Sequence, residues 1–89
     1  MNLDVNWKLR IREKVYKDLK KFPQKDQERI FRVIEQLPLK PYSGDIEKMK
    51  GEENIWRRRV GAYRIFYEII SQERVIHVFR VERRTSKTY

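Results

Sequence analysis

The sequence predicts an α+β fold in which a helical hairpin covers one face of a small, mainly antiparallel sheet. Two observations lead to this prediction. Apolar and polar residues alternate near the start of the chain, and β-rich runs return in its second half, which is typical of strands. Between these stretches the apolar residues recur every three or four positions, which is typical of amphipathic helices. The predicted order of elements is therefore strand, helix, helix and three strands.

A change in the spacing of the apolar residues indicates the first strand and the first helix. Apolar residues alternate with polar ones over the strand, at Val5, Trp7, Leu9 and Ile11. From about residue 13 the apolar spacing becomes four and then three, at Val15, Leu19 and Phe22. Pro23 then ends this helical stripe.

A second helical stripe precedes Pro38. Its apolar positions are Ile30, Phe31, Val33, Ile34 and Leu37. The short connection over residues 22–25 makes the two helices a hairpin with one apolar side. Residues 40–50 show no period and contain Pro41, Ser43 and Gly44, so we expect a loop there.

Three β-rich runs follow over residues 55–60, 63–70 and 74–82. Gly61 and Ala62 separate the first two, and glycine first in a two-residue loop is the signature of a type II′ hairpin turn. That turn would place Arg59 opposite Arg64. The core face would then carry Trp56, Val60, Tyr63, Ile65, Tyr67 and Ile69, and the other face Arg57, Arg59, Arg64, Phe66 and Glu68. The register of the last strand stays open, because the gap before it contains no glycine.

Composition restricts the class of protein. The 89 residues suit one domain over residues 1–89, and 39% hydrophobic residues with only 3 Gly and 3 Pro exclude a disordered basic tail. No apolar run approaches the roughly 18 residues that a membrane span needs. The lack of cysteine excludes disulfides and thiolate metal sites and suits a reducing cytoplasm. We therefore expect a cytoplasmic protein with no cofactor, no metal and no membrane partner.

The net charge of +9 predicts a polyanionic partner, of which nucleic acid is the commonest. This charge is uneven, since residues 57–89 hold nine basic and three acidic side chains. We expect this C-terminal part to make the contact. Lys48 and Lys50, in the predicted loop, are interpreted either as charges that steer phosphate or as merely solvent-exposed.

Arg59 and Arg64 are predicted to be cross-strand neighbours, with Cβ atoms about 5 Å apart. Like charges so placed repel by roughly 0.8 kcal/mol even in water, so we infer a bound anion. Arg57 lies on the same side, and Phe66 between them suits a stacked base beside a phosphate. The alternative is a solvated basic strand face. Arg58 interrupts the apolar face, so either its head reaches the sheet edge or the predicted turn is displaced by one residue.

Residues 14–23, 48–51 and 56–68 resemble the RelE/ParE toxin superfamily. The most specific part starts at Trp56 and reads aromatic-Arg-x-Arg-Val-Gly-x-Tyr-Arg. The resemblance covers nearly the whole chain and implies the RelE-like order of elements. It also implies a toxin of a toxin–antitoxin pair that a small acidic, RelB-like antitoxin silences. RelE-type members cut messenger RNA in the ribosomal A site, whereas ParE-type members block DNA gyrase.

The resemblance also implies roles for individual residues. Arg57 and Arg59 match basic residues that hold the scissile phosphate, and Arg64 matches the arginine that stabilises the transition state. Arg84 matches the general acid when counted forward from Val81, although counting back from the end would select Arg83. Tyr89 matches the C-terminal tyrosine that stacks on or activates the nucleotide.

The general base is the least determined role. RelE-like nucleases often carry lysine where this chain has Arg57 and Arg59, and a guanidinium hardly deprotonates. Tyr89 and Glu68 remain as candidates. The resemblance implies an endoribonuclease, which we expect to be metal-independent. Because acid–base groups are scarce, the composition agrees with cleavage that relies on a ribosome to orient the message better than with a free nuclease. A ParE-like gyrase inhibitor and an inactive RNA-binding module are the alternatives.

Overall fold

The computed structural model describes residues 7–84. In chain order its elements are β1 (Lys8–Ile11), α1 (Glu13–Leu19), α2 (Gln24–Gln36), β2 (Ile46–Lys48), β3 (Ile55–Val60), β4 (Tyr63–Ile70) and β5 (Val75–Arg83). These strands form one sheet in the order β1-β5-β4-β3-β2. β1 runs parallel to β5, and all other neighbours are antiparallel. The predicted α+β fold is confirmed, with one strand more than expected.

The helices follow the prediction with shifted ends. α1 ends at Leu19 because the next residues close tighter turns, in which the Phe22 backbone N–H donates to the Leu19 carbonyl oxygen at 3.0 Å. Pro23 caps the start of α2, where its missing N–H costs little. Val5, which was predicted to begin the first strand, lies outside the described residues. No helix between residues 7 and 84 is both long and apolar enough to cross a membrane.

The prediction of a loop over residues 40–50 is wrong in part, because residues 46–48 form β2. This edge strand pairs with β3 and places Glu47 beside Arg57 and Ile46 beside Arg58. The Arg59 backbone N–H extends the ladder by donating to the Asp45 carbonyl oxygen at 2.9 Å. Three residues are too few to show a period of two, which explains why the alternation in sequence did not reveal this strand.

The helices pack on the predicted core face of the sheet. Val15, Leu19, Ile30 and Ile34 of the helices are buried against the sheet residues Val60, Tyr63, Ile65, Tyr67, Ile69, Ile76, Val78 and Val81. Trp56 packs at the margin of this cluster. The helices thus leave the opposite face uncovered, and we call it the open face.

The last strand begins and ends one residue later than predicted. Arg74 has φ of 55°, which belongs to the turn before the strand. β5 then pairs with β4 from Val75 to Arg83. The pairing contains a β-bulge, since Phe66 faces Arg80 while Tyr67 faces Val78, so that Phe79 has no partner on β4.

Tyr67 anchors the segment before β2 over the core. Its side chain is fully buried, and its hydroxyl donates a hydrogen bond to the Pro41 carbonyl oxygen at 2.9 Å. Burial raises the pKa of the Tyr67 hydroxyl to about 12. The folded protein therefore holds this proton more tightly than the unfolded chain, whose tyrosines titrate near pH 10.

This pKa predicts a loss of stability at high pH that Tyr67→Phe removes. The protonated Tyr67 hydroxyl contributes fully to the free energy of unfolding below pH 10. This contribution falls as the pH rises toward 12, by up to about 1.4 kcal/mol per pH unit. The phenylalanine variant should lose about 1 kcal/mol at neutral pH, because the Pro41 carbonyl loses its donor. Urea unfolding of both proteins between pH 7 and pH 11.5 measures this. Parallel declines above pH 10 would contradict the assignment.

Candidate functional site

The turn between β3 and β4 fixes the position of the arginines. Gly61 has φ of +59°, and Ala62 has no positive φ, which fits the predicted type II′ turn. A side chain at position 61 would also approach the Arg29 guanidinium, at 3.2 Å from Cβ to Nη1. The register is the predicted one, with Val60 opposite Tyr63 and Arg59 opposite Arg64.

The open face carries a cleft at the β2–β3–β4 end of the sheet. Its volume is about 300 Å³, and it is lined by Asp45, Glu47, Arg57, Arg59, Arg64 and Arg84. We call it the arginine cleft. It brings together four of the six residues that were predicted to be catalytic, so that four guanidinium groups face one small volume.

Carboxylates partner three of these guanidinium groups. Arg57 Nη2 donates to Glu47 Oε1, and Arg59 Nε donates to Asp45 Oδ2 at 3.1 Å. Arg64 Nη1 lies 3.9 Å from Glu82 Oε2. The repulsion between Arg59 and Arg64 is thus offset within the chain, and that pair alone does not require a bound anion.

The structure separates Arg84 from Arg83. Arg84 lines the arginine cleft, and its backbone N–H donates to the Ala62 carbonyl oxygen at 2.6 Å. Arg83 is in register with Tyr63 on the helix side, where its guanidinium carbon lies 5.8 Å from the centre of the Tyr63 ring. Of these two arginines, only Arg84 lines the arginine cleft. Tyr89 lies outside the described residues.

Tyr63 holds the end of β4 against the helices. Its hydroxyl donates to Asp26 Oδ2 of α2 at 2.6 Å, and its ring lies 4.7 Å from the ring of Phe22. Burial, followed by the bond to the Asp26 carboxylate, raises the pKa of the Tyr63 hydroxyl. These contacts fix the turn that carries Arg59 and Arg64, so the arginine cleft is built on a rigid part of the sheet.

The sequence matches the family described as the ParE toxin of type II toxin–antitoxin systems over residues 9–87. The chain belongs to this family. Its wider relationship is to the RelE/ParE superfamily of toxins, as the resemblance of residues 56–68 indicated. The RelE1 protein of Methanocaldococcus jannaschii, which is named as a toxin, is 29% identical over 83 residues and covers 90% of this chain and 92% of its own.

Solved structures agree with this assignment. A chain of the Pyrococcus horikoshii RelE–RelB complex has a TM-score of 0.79 at 23% identity, covering 92% of this toxin and 99% of that chain. A chain of the M. jannaschii RelB–RelE antitoxin–toxin complex has a TM-score of 0.70 at 32% identity, covering 83% of this toxin and 88% of that chain. The predicted RelE-like fold is therefore confirmed.

Phe66 is not available as the predicted stacking surface of the toxin. Its side chain lies on the open face but is only 8% exposed. The Arg80 guanidinium lies 5.4 Å from the centre of the Phe66 ring, and the Phe79 ring lies 6.5 Å away. A base could contact this ring only if Arg80 moved, because β5 covers it.

Lys48 and Lys50 do not line the arginine cleft. Lys48 is in register with Trp56, which belongs to the helix side of the sheet. Both lysines border a separate hollow together with Met49 and residues 51–53. Both lysines are exposed, which agrees with the interpretation that they are merely solvent-exposed side chains.

Glu68 lies far from the arginine cleft. It is four residues beyond Arg64 along β4, a separation of roughly 13 Å in a strand, and it lies 3.8 Å from His77 Nδ1. Sequence reasoning named Glu68 as a candidate base and missed Asp45 and Glu47, which do line the cleft. Among residues 7–84 there is no group of three or more His, Asp or Glu side chains that could hold a metal ion.

Proposed function

We propose that this type II toxin is a ribosome-dependent, metal-independent endoribonuclease that cleaves messenger RNA in the A site. The observation that supports this most directly is the arginine cleft, where four guanidinium groups and two carboxylates share one small volume. Arginines bind phosphate oxygens in bidentate geometry, and a carboxylate can accept a proton. Phosphodiester cleavage by the adjacent 2′-hydroxyl requires both kinds of group.

The proposed reaction starts when phosphate replaces carboxylate as the arginine partner. A phosphodiester at Arg57, Arg59 and Arg64 competes with Asp45 and Glu47 for the same guanidinium donors. Glu47 released from Arg57 is then free to take the proton of the 2′-hydroxyl. We expect this exchange to need no opening of the core, because the side chains of Glu47 and Asp45 are 66% and 58% exposed.

The chemical step breaks one phosphorus–oxygen bond and forms another. The 2′-oxygen attacks phosphorus, its proton passes to Glu47, and the bond to the 5′-oxygen breaks. The products are a 2′,3′-cyclic phosphate and a 5′-hydroxyl, whose proton Arg84 donates. Arg64 and its neighbours stabilise the additional negative charge of the transition state. A guanidinium is a weak acid, so Arg84 alone contributes little acid catalysis. The ribosome compensates by holding the message in the orientation that the reaction needs.

Primer extension in cells tests this function. A reporter message with an intact start codon should acquire cuts within its reading frame after brief expression of the toxin. The same message with its start codon removed should stay uncut, because no ribosome presents it. Equal cleavage of both messages would show that cleavage does not depend on translation and would exclude the ribosome-dependent mechanism.

A second candidate function follows from the family match, which names the ParE toxin. A ParE-like toxin would inhibit DNA gyrase and leave messages intact. Such an inhibitor needs no phosphate-binding cleft, which is why we prefer the nuclease. Damaged DNA together with intact messages in the same cells would favour gyrase as the target.

We also propose a small acidic antitoxin that covers the arginine cleft. Negative groups near Arg57, Arg59 and Arg64 would accelerate association and would exclude RNA. The groove between α1 and α2, of about 450 Å³ and lined by residues that include Tyr16, Leu19 and Phe31, fits the apolar side of an amphipathic antitoxin helix. The RelE chains of the archaeal relatives were solved bound to RelB antitoxins.

This partner predicts two separable contributions to binding. Phe31→Ala should weaken the complex by roughly tenfold at any salt concentration, because it removes apolar contact area. Arginine-to-glutamine changes in the cleft should instead weaken it mainly at low salt. Titration of the toxin with the product of the adjacent reading frame measures both. Failure of that product to bind, or to co-purify, would contradict the proposal.

A further inference from the structure

The open face carries a second group of side chains next to the arginine cleft. Register pairing places Phe66 between Arg57 on β3 and Arg80 on β5. Glu68 and His77 form the next pair along the same two strands. Aromatic and basic residues therefore continue from the cleft across β4 to β5.

The β-bulge brings Phe79 to this surface. Phe79 is the extra residue of the bulge, and its ring centre lies 6.5 Å from that of Phe66 and 6.2 Å from that of His77. Both neighbours lie on the open face, so the Phe79 ring lies there too. It is partly exposed, whereas Phe66 is buried. Phe79 is thus the phenylalanine that a ligand on this face can reach.

Arg80 follows Phe79 in the chain, and its guanidinium lies over the neighbouring Phe66 ring, 5.4 Å from the ring centre. Its side chain is 59% exposed, and its Nη2 donates to Glu82 Oε1 at 2.7 Å. The other carboxylate oxygen of Glu82 lies 3.9 Å from Arg64 Nη1 in the cleft. The Glu82 carboxylate therefore links Arg64 in the arginine cleft to Arg80 on β5.

We propose that Phe79 and Arg80 form a stacking subsite for a base of single-stranded RNA, next to the phosphate held in the arginine cleft. This inference rests on the proposed function. Aromatic rings and arginine planes are the side chains on which unstacked bases of single-stranded RNA pack. Arg80 is in register with Phe66, two residues or roughly 7 Å along β4 from Arg64, and β4 and β5 lie about 4.8 Å apart. A chain with its phosphate at Arg64 can therefore place a neighbouring base over this part of β5.

A purely structural role predicts a different response to substitution. If Phe79 only shields Phe66, leucine should serve nearly as well as phenylalanine, because it keeps apolar volume. If Phe79 stacks on a base, leucine should fail and tryptophan should succeed. Tyr42→Leu is the matched control, since Tyr42 is an exposed ring that packs against Trp56 on the helix side, 5.5 Å between centres.

Binding of two probes to the purified full-length toxin tests the subsite. One probe is a six-nucleotide 2′-O-methyl oligouridine, which cannot be cleaved, and the other has the same backbone without bases. Fluorescence anisotropy at low salt should show that the wild-type toxin prefers the base-bearing probe by about tenfold. Phe79→Leu should remove that preference, whereas Phe79→Trp and Tyr42→Leu should keep it. Arg57→Ala should weaken both probes equally, because each carries the same phosphates.

The outcomes distinguish this subsite from the nuclease activity. An unchanged preference in Phe79→Leu, no preference in the wild-type toxin, or no binding at low salt would each overturn the subsite. Thermal melting shows whether the variants are folded. If Phe79→Leu is unstable, the folded Phe79→Trp variant takes its place, and it should keep the wild-type preference for the base-bearing probe. A preference that depends on Phe79, in a toxin that leaves translated messages intact, would keep the subsite and remove the nuclease.

Discussion

Arg64→Ala should lower the rate of message cleavage by about a hundred- to a thousandfold while the protein stays folded. Removing one positioned donor that stabilises transition-state charge has an effect of this size. Arg64 lines the cleft, opposite Arg59, and its Nη1 lies 3.9 Å from Glu82 Oε2. Single-turnover cleavage of messages on programmed ribosomes measures the loss.

Stability should change little in this variant. Arg64→Ala relieves the repulsion with Arg59, and Glu82 keeps its shorter contact to Arg80 at 2.7 Å. The matched control is Arg12→Ala, which removes the same charge from an exposed position at the start of α1. Arg12→Ala should cleave at the wild-type rate. A folded Arg64→Ala protein with full activity would show that the arginine cleft is not the active site.

Glu47→Gln should lower the cleavage rate by roughly a hundred- to ten-thousandfold, which is the range of general acid–base catalysis. Glutamine keeps the size of the side chain and can still accept a hydrogen bond from Arg57. It cannot take a proton from the 2′-hydroxyl. The maximal rate should therefore fall while the toxin concentration that gives half of this rate stays nearly constant.

Two other variants separate proton transfer from positioning. Glu47→Asp should recover part of the rate, because it restores a carboxylate. Asp45→Asn should have a smaller effect on the rate, since Asp45 pairs with the more exposed Arg59. Activity of Glu47→Gln within threefold of wild type would exclude Glu47 as the base. A loss confined to Asp45→Asn would transfer the role to that residue.

The sequence predicted the hairpin register because its determinants are local. Glycine at the first position of a two-residue loop selects the turn, and the turn alone then sets Arg59 against Arg64. The alternation beyond it showed which side chains face the helices. Three of the four arginines that line the cleft could therefore be placed on one surface from their positions in the chain.

Features that depend on pairing between distant segments were not predictable in this way. β2 is three residues long, and only its pairing with β3 brings Glu47 to Arg57. The carboxylates of the cleft were therefore missed. The β-bulge was missed as well, because a bulge of this kind needs no glycine. It places Arg80 opposite Phe66, and on the open face Phe79 is partly exposed whereas Phe66, the expected stacking residue, is buried.

The most direct test of the proposed nuclease uses purified toxin with a reconstituted translation system and with DNA gyrase. The expected result is cleavage within the translated codons of a message when ribosomes are present, no cleavage of the same message without ribosomes, and unchanged supercoiling by gyrase. Glu47→Gln and Arg64→Ala should leave the message intact. An intact message with the wild-type toxin, together with inhibited supercoiling at the same concentration, would contradict the nuclease and identify gyrase as the target.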